Sequence, residues 1–99
     1  MLEIRPNCEH CNKDLPFDAT EVMICTFECT YCEACATDIL KSICPNCGGN
    51  FTKRPIRPEK LLKKYPISTK RIYNPTDLAA HNERVKKIIA VNNQKTPNL

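Results

Sequence analysis

Eight cysteines in 99 residues, most of them in Cys-x-x-Cys pairs, constrain this chain more than any other feature. They stand at positions 8, 11, 25, 29, 32, 35, 44 and 47. Two residues between cysteines let a tight turn aim both sulfurs at one ion about 2.3 Å away, while N–H groups of the turn bond the thiolates and spread their charge. Each pair supplies only two ligands, so eight cysteines make two tetrahedral sites, each joining two separated segments. Such fastening is needed here. The chain has three tyrosines, three phenylalanines and no tryptophan, so its first fifty residues bury too little apolar surface to fold unaided. A large enzyme with a deep pocket is excluded on the same ground.

The cysteines can be read as metal ligands or as a disulfide framework, and the compartment decides. No run of about 18 apolar residues occurs, and the start, Met1 to Cys8, lacks the charged-then-apolar pattern of an export signal. The expectation is a cytoplasmic protein, where reduced thiols are available to metal and structural disulfides are disfavoured.

The knuckle Cys44-Pro45-Asn46-Cys47-Gly48 is the most specific single element. Pro45 sets φ early in the turn and Gly48 supplies a permissive backbone after the second ligand. Upstream, Glu21 to Phe27 is rich in β-formers and predicts a strand, with Thr30 to Cys32 returning beside it. Glu33 to Lys41 suits a short helix. Near residue 50 the composition changes to a proline-spaced basic stretch that reads as an extended strap. Beyond it come a turn or two of helix at Leu61–Tyr65 and an extended run at Ile67–Tyr73. A last helix is expected over 76–91, with Asn74 as N-cap, Asp77 in the first turn, and Leu78, Val85, Ile88 and Ile89 on one face. Three units result: a double-zinc domain at 1–52, a basic strap at 53–73, and an amphipathic helix at 74–99 whose tail is frayed from Asn92.

Charge separates along the same boundary. Residues 1–50 hold eight acids and three bases, net −5, and residues 51–99 hold twelve bases and three acids, net +9. Eight thiolates with two Zn²⁺ take the first half to −9 and the chain to 0. The basic segment 53–71 has two readings. It straps across the acidic domain and covers Ile56, Leu61, Leu62 and Ile67, or it tracks phosphates through Lys60, Lys63, Lys64, Lys70 and Arg71 with Tyr65 or Tyr73 stacking on bases. The first reading uses both halves of the dipole. The helix needs a surface, either its own domain or a second copy in a homodimer, because an isolated helix of this length is marginal in water.

Spacing alone leaves open which pairs combine. The order resembles the RING-type cross-brace, in which first and third pairs share one ion and second and fourth share the other. That resemblance spans residues 8–47, with Cys29 where a histidine is usual and Tyr31 where an aromatic is frequent. It implies one site of Cys8, Cys11, Cys32 and Cys35, a second of Cys25, Cys29, Cys44 and Cys47, and a small α+β treble-clef-like fold with a short β-hairpin and one helix, plus a helical carboxy-terminal extension. At finer grain, Met1 to Cys8, Ile24 to Cys32 and Cys44 through Pro58 resemble a small bacterial family catalogued as domain of unknown function 1272, which has no assigned activity. Its members are usually shorter, so the segment from about Glu59 reads as an addition.

The RING resemblance raises ubiquitin-ligase activity, which works by docking a charged conjugating enzyme. Residue by residue it transfers poorly. His10 stands where ligases commonly have an aliphatic contact, Ile39 where many have tryptophan and Gly48 where a basic residue is often found; only Pro45 matches. An iron–sulfur run beginning at Cys29, Cys32 and Cys35 fails on the eight residues before Cys44. Eight thiolates on two ions leave no open coordination position for catalysis. His10 reads as a partly solvated turn residue and His81 as a surface or helix-packing one. The expectation is therefore no enzyme but a protein-binding module with two Zn²⁺, with nucleic acid as the alternative partner and no membrane.

Overall fold

The β-rich run after Glu21 forms the expected hairpin in a computed structural model that describes residues 2–95. Strand β1 (Val22–Ile24) pairs antiparallel with β2 (Thr30–Cys32), Val22 opposite Cys32 and Ile24 opposite Thr30. The Cys25 N–H reaches the Cys29 carbonyl at 3.2 Å, and Glu28 closes the loop in a left-handed conformation with φ 65°. A third strand, β3 (Thr52–Lys53), adds to the other edge of β1, giving the order β2-β1-β3. Two residues beside a proline-rich stretch carry no period, so this strand has no signature in the sequence.

The helix expected over Glu33–Lys41 is shorter in extent and wider in radius. It runs as a π-helical turn over Cys35–Ile39, with the Leu40 N–H on the Cys35 carbonyl at 2.8 Å. Lys41 and Ser42, at φ 58° and 61°, end it. Cys35, Ala36 and Leu40 all turn inward. They join Cys8, Leu15, Val22, Tyr31 and Cys44 in one core, where Tyr31 meets Phe51 edge-on at 5.4 Å. Six of the eleven buried residues of that core are cysteines. Apolar burial alone therefore holds little of it together.

The basic segment lies on the domain as a strap, passing alongside residues 4–9. The Ser68 N–H bonds the Ile4 carbonyl at 2.9 Å, Asn7 Nδ2 donates to the Ile72 carbonyl at 2.7 Å, and the Asn74 N–H reaches the Glu9 carbonyl at 2.8 Å. Attachment is less ionic than the charge separation implies. Arg54 and Arg57 donate to backbone carbonyls, while ion pairs from this segment are Lys53–Glu33 and Arg71–Asp14, whose side chains are solvent-exposed and contribute little. Nor does the strap cover every apolar residue assigned to it, since Ile56 and Leu61 stay exposed while Leu62 and Ile67 are half-buried.

Helix α1 spans Leu78–Lys95; residues 96–99 of the expected frayed tail lie outside the described residues. Its cap is Asp77, whose Oδ1 accepts from the Ala80 N–H at 3.3 Å, rather than Asn74, whose N–H is committed to Glu9. The docked face is also rotated from expectation. His81 and Val85 are buried with Ile88 half-buried, whereas Leu78 and Ile89 face solvent. A histidine that finds a carbonyl partner can occupy a helix's inner face, and apolar periodicity cannot register that.

Gly48 sits at φ 77°, and a Cβ there would meet Ile88 Cδ1 at 3.7 Å, an ordinary contact. Backbone strain rather than crowding decides the outcome. Gly48→Ala is expected to cost about 1–2 kcal/mol, read as a lowered thermal midpoint at fixed zinc with metal content unchanged.

Candidate metal centres

Two turns of the chain repeat one hydrogen-bond pattern. In the first, the Cys8 N–H bonds the Lys13 carbonyl and the Asn12 N–H bonds the Cys8 carbonyl, both at 2.9 Å. In the second, the Cys44 N–H bonds the Gly49 carbonyl at 2.8 Å and the Gly48 N–H bonds the Cys44 carbonyl at 2.9 Å. The residue after the second cysteine is left-handed in both, Asn12 at φ 66° and Gly48 at φ 77°. Asparagine tolerates that conformation better than most side chains, so Asn12 is itself a turn signal in the sequence, overshadowed by the cysteines around it. The remaining four cysteines come from the hairpin and the helical turn after it: Cys25 just after β1, Cys29 just before β2, Cys32 ending β2 and Cys35 opening the π-helical turn.

These elements gather the sulfurs in interleaved order. Cys8, Cys11, Cys32 and Cys35 have all four Sγ atoms within 4.8 Å of one another, and so do the three of Cys25, Cys44 and Cys47. Cys11 and Cys32 are 3.9 Å apart, matching the roughly 3.8 Å edge of a tetrahedron with about 2.3 Å metal–sulfur bonds. A disulfide needs about 2.05 Å. Cys29 is buried beside the second cluster but outside that mutual distance, and its sulfur accepts from Asn46 Nδ2 at 3.4 Å.

Donors converge on the sulfurs. The Phe27 N–H points to Cys25 at 3.3 Å, and the Asn46 and Gly49 N–H groups to Cys44 and Cys47 at 3.4 Å each. The N–H groups of His10 and Lys13 serve Cys8 and Cys11 in the same way, two residues on. This is how a chain holds thiolate charge next to a cation. Burial resists ionisation of Cys47, yet the Thr26 hydroxyl, the Gly49 N–H and the neighbouring Cys25 and Cys44 thiols outweigh it and bring the group down to about 7. Burial, then adjacent sulfurs, push Cys35 and Cys44 up. A divalent cation at the cluster centre removes that conflict, because it compensates all the thiolates at once.

The two histidines serve packing. His10 Nδ1 accepts the Thr76 N–H at 3.1 Å, and His81 Nε2 donates to the Leu40 carbonyl at 2.8 Å. Neither belongs to a sulfur cluster. Among the described residues no helix is long and apolar enough to cross a membrane.

Residues 1–57 match the model of a family described as protein of unknown function (DUF1272). An uncharacterized protein of Rhizobium meliloti (strain 1021) is 56% identical over 79 residues, which cover 80% of this chain and 94% of that relative. No solved structure matches the chain. Since 79 matched residues cannot fit within the 57 of the family model, at least 22 of them lie beyond it. Part of the segment after Glu59, which lies outside the family model, is thus shared with that relative.

Proposed function

We propose that this chain, which belongs to the DUF1272 family, is a non-catalytic zinc-binding interaction module of RING-like, treble-clef cross-brace type. One ion is held by Cys8, Cys11, Cys32 and Cys35, the other by Cys25, Cys29, Cys44 and Cys47. The observation that carries this is the interleaved gathering of sulfurs from segments far apart in the chain. Zinc is the metal that fits closed thiolate tetrahedra in a small fold with a cysteine core, and a cytoplasmic location keeps those thiols reduced. When bound it supplies charge compensation and cross-linking.

The partner is a protein docking on the rigid zinc domain. Supporting this, Phe27 stands 72% exposed at the tip of the hairpin between Cys25 and Cys29, an aromatic anchor on a turn that metal would immobilise. Ligase activity is disfavoured by α1, because Arg84 bonds the carbonyl of Pro45 and Ile88 lies over Gly48. The matching contact residue is thereby engaged within the chain. Zinc-edge X-ray absorption is expected to give four sulfurs per ion at about 2.3 Å; an oxygen or nitrogen ligand at either ion would contradict a closed structural centre.

A specific observation keeps nucleic acid as a second reading. Lys60, Lys63, Lys64 and Lys70 are exposed and make no ion pair among the described residues, and Tyr73 is 56% exposed. Arg71 leaves the proposed set, being engaged by Asp14 at 2.7 Å and Asn12 at 2.8 Å. For single strands the slope of log affinity against log salt is expected near −3, about −0.7 per neutralised phosphate for four lysines. Changing the four lysines to glutamine should flatten it, and absence of binding at low salt would end this reading.

A further inference from the structure

Between the start of α1 and the knuckle lies a cleft of about 230 Å³, with Pro45 and Asn46 on one wall and Asp77, His81 and Arg84 on the other. No cysteine lines it, and the exposed Phe27 lies elsewhere, so neither the metal centres nor the hairpin tip accounts for it.

The groups it offers are acceptors. His81 lines the cleft and is 1% exposed. Its Nε2 donates to the Leu40 carbonyl at 2.8 Å, which leaves Nδ1 as the lone-pair nitrogen of a neutral ring, without a partner among the described residues. The two ring nitrogens point in nearly opposite directions, so Nδ1 turns away from Leu40 on the cleft side of the ring. A buried acceptor that lacks a donor is costly. Across the cleft, Asn46 commits its Nδ2 to the Cys29 sulfur and the Tyr31 hydroxyl at 3.4 Å each, leaving its carbonyl oxygen to accept. Asp77 spends Oδ1 on the Ala80 N–H at 3.3 Å and keeps a second carboxylate oxygen. A cation of the chain's own already occupies this space. The Arg84 guanidinium crosses from α1 to the Pro45 carbonyl, and the residue is exposed.

We propose that the cleft takes the side chain of a lysine presented by a partner protein, its ammonium displacing Arg84 from the Pro45 carbonyl and donating to Asp77 and to His81 Nδ1. The inference deepens the protein-binding reading, on which it rests, by naming the group that the partner supplies. An ammonium carries three donors and no acceptor, which suits acceptors arriving from separate walls, and Asp77 supplies the opposite charge. Pro45, Pro75 and Ala80 complete the lining with apolar surface for the methylene stem. A chain's amino terminus has the charge without that stem.

The test uses the full zinc-loaded chain and a lysine blocked at both backbone ends, followed by nitrogen-15 resonances of the His81 ring. Saturation with this compound should move the Nδ1 resonance toward its hydrogen-bonded position. The Nε-acetylated form and the norleucine analogue should bind at least tenfold more weakly, as should glycinamide, an α-amine without a stem. Asp77→Asn keeps a good helix cap while removing the charge, so it should weaken lysine binding at least tenfold in a chain that stays folded. Arg84→Gln removes the resident cation and should tighten binding several-fold. An Nδ1 resonance that never moves, equal binding of the acetylated or norleucine compound, or unchanged affinity in Asp77→Asn would overturn the lysine site. Equal binding of glycinamide would overturn it in favour of a chain terminus. None of these readouts involves Phe27, so the protein-binding reading fails separately, as a Phe27→Ser chain that holds its partner as tightly as the parent does.

Discussion

Stripping both ions, or changing Cys44 and Cys47 together to serine, is expected to abolish cooperative folding of the domain rather than soften it. Structural zinc sites supply about 10–16 kcal/mol each at neutral pH, while a domain of this length has a net stability of only several kcal/mol. No apolar reserve makes up the difference, since cysteines are six of the eleven residues in the core cluster and the strands are two or three residues long. Each cluster also brings together segments distant in the chain, Cys8 and Cys11 with the end of β2, and the β1 turn with the closing knuckle. The near-ultraviolet signal of Tyr31 against Phe51 reports this packing. It should vanish with chelator and return with zinc, and a double-serine variant that retains a sharp thermal transition and two metals would contradict the expectation.

The second large effect is predicted at Arg54. Its guanidinium belongs to a residue only 5% exposed and donates to the carbonyls of Arg5 at 2.8 Å and Pro16 at 3.0 Å, with no carboxylate beside it. Burial alone lowers its affinity for the proton, so the charge carries a desolvation penalty. The planar fork offsets it by serving two carbonyls, of which that of Pro16 also accepts the Ala19 N–H at 3.0 Å, while the residue's own N–H bonds the Val22 carbonyl at 2.9 Å. Arg54→Met keeps the apolar stem and deletes the fork, leaving the Arg5 carbonyl without its donor and the Pro16 carbonyl with the Ala19 N–H alone; about 1–3 kcal/mol should be lost. Lysine, a single point donor, should rescue only part. Denaturant midpoints at fixed zinc measure this, with metal content unchanged. A methionine variant as stable as the parent would mean the carbonyls find water instead.

Arg54 also marks where a sequence stops being legible. Cysteine spacing, the β-rich run at 22–24 and the glycine after Cys47 announce themselves because metal ligation, β-pairing and left-handed turns are set by local chain chemistry. Arg54 and Arg57 look like members of a solvated basic run, since a buried arginine is recognisable only from its acceptors, here the carbonyls of residues 5, 16, 65 and 2. His81 is obscure for a related reason: its partner, the Leu40 carbonyl, is presented by a π-helical ending that no pattern foretells. The same holds for the helix face. Leu78 and Ile89 satisfy the apolar period, yet the π-helical ending and the knuckle beneath α1 present carbonyls to which His81 and Arg84 are better suited. Long-range hydrogen bonds decide these cases, joining segments well separated along the chain and so lying beyond any local pattern.

If interleaved cysteines hold two ions, native mass spectrometry of protein purified without refolding detects them as the difference between the intact mass and the acid-denatured mass of the same sample. Two zinc ions per chain, with all eight thiols reduced after acid release, is the predicted result. Iron, a single ion, or a metal-free chain lighter by the hydrogens of disulfide formation would contradict it.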